Sequence, residues 1–492
     1  MKSRIVMCIA ALALSLALAT AAPLAAQPAK VNYPRFKLVD MVTFGGPNSI
    51  VNGPQAPDLS NNGAYGGYAE TNIPYPFGSN YCPNGECLVQ HAQAWRNGVV
   101  SDLGTLPGMN LSSGVSGVGP TGIMVGNSEI GLLDPLGYPE KHAVMWTRDG
   151  RITDLGTLDG GDFSTAVGVN GQGMIVGGAL NTLPDPFPMF GLPYQSRAVV
   201  WKHGVIQDIG TLGGPDAFVS TLNERGQIVG LSFTNSTPNP STGIPTLHPF
   251  LWENGKMKDL GTLGGTFVPY DWMNNRGQVV GMSTLAGDQS WHPFLWDNGT
   301  LKDLGTLGGT NGEAEWISDS GLVVGRADFS PSSTYHHAFL WKNGAMTDLG
   351  VVSPWPCSTA YSVNSRGQVV GDTGICGVGG GPSFFSEGGQ PMVDINTLVL
   401  PGSNSSNITV VDAYQINERG EIAGGGVLPD GDFHAVVLVP ASQAEIAAAS
   451  TLPSTSQSHL NLPSKSVIQD QSMLDTPRNG MLARFLRLRR EP

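Results

Sequence analysis

Residues 248–266, HPFLWENGKMKDLGTLGGT, return at 292–310 as HPFLWDNGTLKDLGTLGGT. A catalytic centre needs its residues once, so a segment repeated this closely is a building unit. Three landmarks of that unit run along the chain. Its aspartate occurs as Asp40, Asp102, Asp154, Asp208, Asp259, Asp303, Asp348 and Asp394. A Gly-x-x-x-Gly follows each one, as Gly63/Gly67, Gly122/Gly126, Gly173/Gly177, Gly226/Gly230, Gly277/Gly281, Gly321/Gly325, Gly367/Gly371 and Gly420/Gly424. An alternating run ends in Trp95, Trp146, Trp201, Trp252, Trp296 and Trp341, with Phe385 and Leu438 in the last two units. Eight copies at a spacing of about 50 residues mark a solenoid or a propeller.

No unit contains an apolar stretch of helical period, whereas each reads as four short strands. The FLW run turns at Asn-Gly into KMKDL, a hairpin whose two turn residues need positive φ. A second hairpin, YDWMNNRGQVVG, turns at its loop glycine. Four antiparallel strands in eight units predict an all-β fold, an eight-bladed β-propeller. The last unit stops after its third strand, HAVVLVP, while FKLVDMVTFGG at the start is a fourth strand without a unit. The N-terminal strand therefore closes the ring, over residues 36–440, and removes the edges that an open array exposes.

The ends read differently. Lys2 and Arg4 precede an apolar run at 5–18 and small residues, the build of a signal peptide over 1–26, cleaved near Gln27 or alternatively near Ala22. Export to a periplasm or the exterior is the expectation, with no integral membrane span. Residues 441–492, rich in Ser, Gln and Pro and ending in MLARFLRLRR, read as a disordered tail with a short basic terminal helix.

A net charge of −13 offers no basic stripe and argues against nucleic acid as a partner. Outside the leader the cysteines are Cys82, Cys87, Cys357 and Cys376, an even number in a chain bound for an oxidising compartment. Local disulfides, Cys82 to Cys87 and Cys357 to Cys376, are expected rather than a zinc site. No cofactor, metal or catalytic constellation is expected, since the nucleophile-elbow, zincin, P-loop and calcium-loop patterns are absent. The eightfold aspartate is read as a turn-holding acceptor of backbone N–H groups. The histidines heading the third strand (His91, His142, His248, His292, His337 and His434, with Arg197 in one unit) are read as hydrogen-bonding partners between neighbouring elements. The tryptophans are read as wedges between blades.

The pattern H-[AP]-F-L-W-x-[ND]-G-x-x-x-D-L-G-T-L-G-G followed by N-x-x-G-Q-V-V-G resembles the HAF family of extracellular repeats, legible at His337, Ala338 and Phe339. The resemblance covers about 36–440 and implies an exported repeat protein without an established activity. The first and last two units depart from the pattern, with Met41 and Val42 in place of LG and 382–385 in place of HAFLW.

Function is expected where the repeats differ. The longest insertions, 68–90, 127–141, 178–196 and 231–247, fall between second and third strands, so one face of the ring is elaborated and the other plain. Candidate partner-binding residues there are Tyr75, Phe77, Phe187, Phe190, Tyr194, Trp291 and Tyr335. The alternative is that these rings only pin their loops. The expected function is a monomeric, exported binding or surface-interaction module for a glycan or another exported protein. The alternative is a propeller hydrolase or lyase acting on an extracellular glycan, and the sequence leaves enzymatic activity open.

Overall fold

In the computed structural model, residues 33–451 are described except for 55, 78–86, 97, 135–136, 188–192, 241, 332–334 and 405. The segment read as a signal peptide, the expected basic terminal helix, Cys82 and Phe190 lie outside the described residues. Eight four-stranded antiparallel sheets form the blades. Blades 1 to 7 occupy 45–104, 113–156, 164–208, 217–259, 271–303, 312–350 and 357–394, each with its strands in chain order across the sheet. Blade 8 combines Thr409–Ile416, Ile422–Val427 and Phe433–Pro440 with Phe36–Asp40, which pairs with the last of these from Phe36↔Pro440 to Asp40↔Val436. The two chain ends thus share one sheet.

Local chemistry explains the hairpins. Between third and fourth strands the turn residues Asn254/Gly255, Asn298/Gly299 and Asn343/Gly344 all have positive φ, as a two-residue turn matched to strand twist requires. Between first and second strands the leading glycine of each Gly-x-x-x-Gly is also left-handed, with φ near +80° in all eight units. The asparagine four residues before the following Gln does two jobs. Asn223 Oδ1 accepts from the N–H groups of Arg225 and Gln227, while its Nδ2 donates to Asn274 O of the next blade. Asn274 repeats this toward Ser318, Asn364 toward Asn417, and Asn417 toward Ser60 across the closure. The plain face is therefore zipped from blade to blade.

The core lies between blades. All six tryptophans are buried, and Trp146 and Trp201 donate from Nε1 to Leu103 O and Leu155 O of the preceding blade. Lys202, Lys258 and Lys302 place their ammonium groups about 5 Å over Trp252, Trp296 and Trp341 of the next blade. Phe385 and Leu438 fill the same position in blades 7 and 8 with no exposure.

The repeated aspartate behaves alike in every unit. Its Oδ1 accepts the N–H two residues on, from Val42 after Asp40 to Asn396 after Asp394, at 2.7–2.9 Å. In six blades its carboxylate also takes a bond from the Nδ1 of the third-strand histidine, at 2.7–2.9 Å, and in blade 3 Arg197 substitutes. The closure pair, His434 with Asp40, is the least exposed of these.

Cys357 and Cys376 form a disulfide within blade 7, and Cys87 is disulfide-bonded. The stretch expected to begin a disordered tail starts instead with a helix, α1 (Gln443–Ala449). Ser442 and Glu445 make a capping box for it, and Lys37 of the closing strand pairs with Glu445 at 2.7 Å. Among the described residues no helix is long and apolar enough to cross a membrane.

Candidate functional site

The innermost strand of a blade packs one neighbour on each face, so a side chain reaches the central axis only if the backbone is locally displaced. The ladder is displaced in this way in blades 2, 3, 4, 6, 7 and 8, where Ser116, Val167, Ser220, Glu315, Tyr361 and Tyr414 are extra residues opposite the second strand. Five of the six are partly exposed between buried neighbours, as expected of side chains turned toward a channel. Asp271 aligns in sequence with this position in blade 5, where the ladder is unbroken and the side chain is buried. The displacement explains the second landmark glycine, since a Cβ on Gly126, Gly177, Gly230, Gly325, Gly371 or Gly424 would overlap a first-strand carbonyl oxygen.

This inward column is where the repeats stop repeating. Blades 2 to 4 contribute small or apolar side chains, whereas blades 6 to 8 contribute Glu315, Tyr361 and Tyr414. Tyr361 and Tyr414 meet edge to face at 5.5 Å. Burial, then the carboxylates of Asp372 and Asp412, hold both phenols well above their ordinary range. Arg326 donates from Nε to Glu313. Burial opposes its charge, but Glu313 and Glu315 outweigh that and raise its pKa. Asp271 is 1 % exposed, and neither carboxylate oxygen has a partner at hydrogen-bonding geometry, although Ser220 nearby favours the ionised form. Burial pushes its carboxyl up to about 7.

The elaborated face surrounds one mouth of this channel. The insertions of blades 1 to 3 are not simple loops. Their second strands, Tyr65–Pro74, Met124–Leu133 and Ile175–Pro184, extend upward and pair at their tips as Pro74↔Leu88, Leu133↔Pro139 and Pro184↔Tyr194. Of the twelve large apolar side chains exposed among the described residues, Val42, Met109, Leu132, Leu133, Tyr138, Leu183, Phe329, Tyr335, Ile375 and Val378 lie on this face. That is ten of twelve, leaving only Val99 and Val205 in plain-face hairpins.

The aromatic candidates are placed unevenly. Tyr75 donates its hydroxyl to the buried Glu129 of blade 2 at 2.5 Å and stacks edge to face on Phe77 at 5.6 Å. Phe187 packs against the apolar cluster containing Phe218, Leu231 and Phe267. Tyr194 and Trp291 begin third strands and are half-buried, while Tyr335 is 49 % exposed. Among the described candidates, Tyr75 and Phe77 are brought together. The leucines of the β-arms escaped sequence reasoning, and the signal that could have found them is the run EIGLL in a position where the other units turn back. At the closure seam a shallow groove of about 420 Å³ is lined by Lys37, Trp95, Arg419 and Glu421.

Among the described residues, one group of metal-ligating side chains converges: His336, Cys357 and Cys376 bring ligand atoms within 4.8 Å of one another, with both sulfurs joined in the disulfide.

The carboxylates predict an unusual pH profile. Asp216 and Asp271 have folded pKa values pushed up to about 7, chiefly by burial, against about 3.9 when unfolded. The unfolded chain gives up these protons first, so stability is fully present below about pH 4 and is lost as pH rises toward 7. Asp40, Asp102, Asp259 and Asp348 act oppositely. Burial opposes their charge, but the histidine and turn N–H bonds outweigh it and lower their pKa values, so their stabilisation is lost as pH falls below about 4. Melting temperature should therefore rise from pH 8 to a maximum near pH 4–5 and then drop. Asp216→Asn with Asp271→Asn should flatten the upper limb, and a profile rising between pH 5 and 8 would contradict this account.

No family model matches the chain, and no curated protein does. Solved structures similar to it include the β-propeller domain of the Trilobed protease from Pyrococcus furiosus, at 8% identity and TM-score 0.39, covering 74% of this chain and 97% of that one. A chain from a study of two prolyl endopeptidases is 9% identical with TM-score 0.39, covering 80% of this chain and 55% of that one. TolB from Acinetobacter baumannii is 11% identical with TM-score 0.27, covering 62% and 77%. Blade count and closure here rest on the chain's own strand pairing.

Proposed function

We propose that this ring of HAF-type repeats is an exported surface-interaction module whose elaborated face docks another exported protein. The observation that carries the reading is the apolar asymmetry of the two faces. Exposed apolar side chains gathered on one surface mark an interaction site, whereas scattered ones need no explanation. The β-arms of blades 1 to 3 raise Leu132, Leu133 and Leu183 above the blade tops, where they support no core. A glycan partner is less favoured, since of the candidate aromatic rings Tyr75 and Phe187 are already engaged within the chain.

Leu133→Glu with Leu183→Glu should abolish capture of the partner from an exported fraction while leaving the melting temperature within about 1 °C, because exposed positions tolerate substitution. Val205→Glu on the plain face is the control and should leave capture intact. Capture unchanged by the arm substitutions would remove the support for this reading.

A second reading, a hydrolase or lyase acting on an extracellular glycan, draws on Asp271. A buried carboxyl whose pKa is pushed up to about 7 has the character of a general acid, and Glu315 on the adjacent blade supplies a second carboxyl. Release of reducing or unsaturated ends from polysaccharides, lost in Asp271→Asn, would favour this reading over docking.

A further inference from the structure

The cluster of His336, Cys357 and Cys376 lies on the elaborated face and is not used by either functional reading. Cys357 opens the innermost strand of blade 7, Cys376 follows the second strand of the same blade, and His336 opens the third strand of blade 6. In the disulfide neither sulfur can be a thiolate. The sulfurs are nevertheless not held together by their bond alone. Cys357 pairs with Gly374 in the sheet ladder, and the next residue pair, Ser358 with Thr373, continues it. Cutting the disulfide therefore leaves both side chains at one place.

His336 is held there independently. Its backbone N–H donates to Cys357 Sγ at 3.3 Å, and its Nδ1 lies 3.7 Å from the same sulfur. A neutral imidazole is the form that ligates metals. Cys357 is buried, while His336 and Cys376 are partly exposed, which leaves an approach from solvent.

We propose that, on reduction, Cys357, Cys376 and His336 form a binding site for a zinc-class metal ion, so that this corner of the ring alternates between a disulfide and a metal-bound state. Two thiolates and an imidazole suit Zn²⁺ or Cu⁺ and not the oxygen-seeking Ca²⁺ or Mg²⁺. Three protein ligands leave a fourth position for water. The redox step is thiol–disulfide exchange with a dithiol: the reductant becomes a cyclic disulfide, its two electrons and two protons pass to the Cys357 and Cys376 sulfurs, and both thiols result. Binding the ion releases those two protons to solvent as the thiolates coordinate. Coordination at Nδ1 leaves the ring proton on Nε2, which now faces Arg326 Nη1 at 3.5 Å and ends that nitrogen's capacity to accept from it. The guanidinium is then left to Glu313, its partner at the inward wall.

The test uses the chain with Cys8, Cys82 and Cys87 replaced by Ser, so that the only sulfurs of cysteine are Cys357 and Cys376. After anaerobic reduction and removal of the reductant, Co²⁺ titration should give one equivalent with thiolate charge-transfer and tetrahedral ligand-field bands, displaced by Zn²⁺. The oxidised protein should give neither band. His336→Ala leaves the disulfide intact and should weaken Zn²⁺ binding by more than about tenfold in the reduced protein, as loss of a ligand does. Each variant's circular dichroism and melting curve establish that it is folded. Reduced, folded protein that binds Co²⁺ no more tightly than a Cys357→Ser variant would overturn the site, and equal affinity in His336→Ala would remove the histidine from it.

Discussion

Deleting residues 31–40 should abolish cooperative folding of the ring. The segment carries the outermost strand of blade 8, whose five-residue register with Phe433–Pro440 joins the two ends of the described chain in one sheet. It also removes Phe36, 1 % exposed and edge to face with Phe385 of blade 7 at 5.7 Å, and Leu38, 6 % exposed. Truncating buried side chains of these types costs about 2–5 kcal/mol each, so the two together approach the roughly 5–15 kcal/mol that holds a domain folded. The deletion further strips His434 of Asp40 and leaves the edge of the third strand unpaired, a template for association. Sedimentation should show larger species or aggregate than the full chain gives, and the cooperative melt should vanish. A monomer melting at the full-length temperature would show that closure contributes nothing. Asp40→Asn is the milder companion: it keeps the strand and weakens the charge-assisted bonds from His434 and Val42, for a loss of about 1.5–3 kcal/mol.

That closure was legible because it is a matter of counting. An orphan fourth strand at one end and a missing one at the other can be matched before any coordinate is known. The blades were legible for a similar reason, since Asn-Gly turns and left-handed glycines are local signals. The partner of the repeated aspartate was also within reach. His91 and Asp102, His248 and Asp259, His292 and Asp303, and His337 and Asp348 are all eleven residues apart, the constant offset of a diagonal pair across a two-residue turn, since Asp259 itself faces Phe250. Reading each landmark separately hid the pair.

The inward column was not legible, because a displaced residue leaves no mark of its own on the sequence. Glu315, Tyr361 and Tyr414 occupy unremarkable positions in three short strands, and only the displacement of the ladder turns them to the axis. The β-arms were hidden differently. Without a repeated counterpart, Leu132 and Leu183 fell into segments counted as insertions, where extended pairing is invisible and aromatic residues attract the eye.

In the six displaced blades the second glycine is the indirect trace of that displacement, and adjacent positions 177 and 178 isolate its effect. At Gly177 an added Cβ would overlap Thr165 O and crowd the Ala166 Cα, all backbone atoms of the displaced first strand, which cannot rotate away. At Gly178, one residue on, the nearest atom to an added Cβ is Arg197 O at 4.0 Å. The other units agree: the first position is glycine in all eight, while the second holds Tyr68, Asn127, Leu231, Met282, Arg326, Asp372 and Gly425. Gly177→Ala should therefore destabilise blade 3 by about 3 kcal/mol or more, the upper range of overpacking, because relief requires the bulge itself to move. Gly178→Ala should be neutral or stabilise by about 0.4–1 kcal/mol, since it restricts the unfolded chain without straining the folded one. Denaturation midpoints of the two variants, measured with the same slope, decide the matter. Equal midpoints would mean that the displaced strand yields easily, and the inward column would then lose the rigid frame that holds its carboxylate and phenols toward the channel.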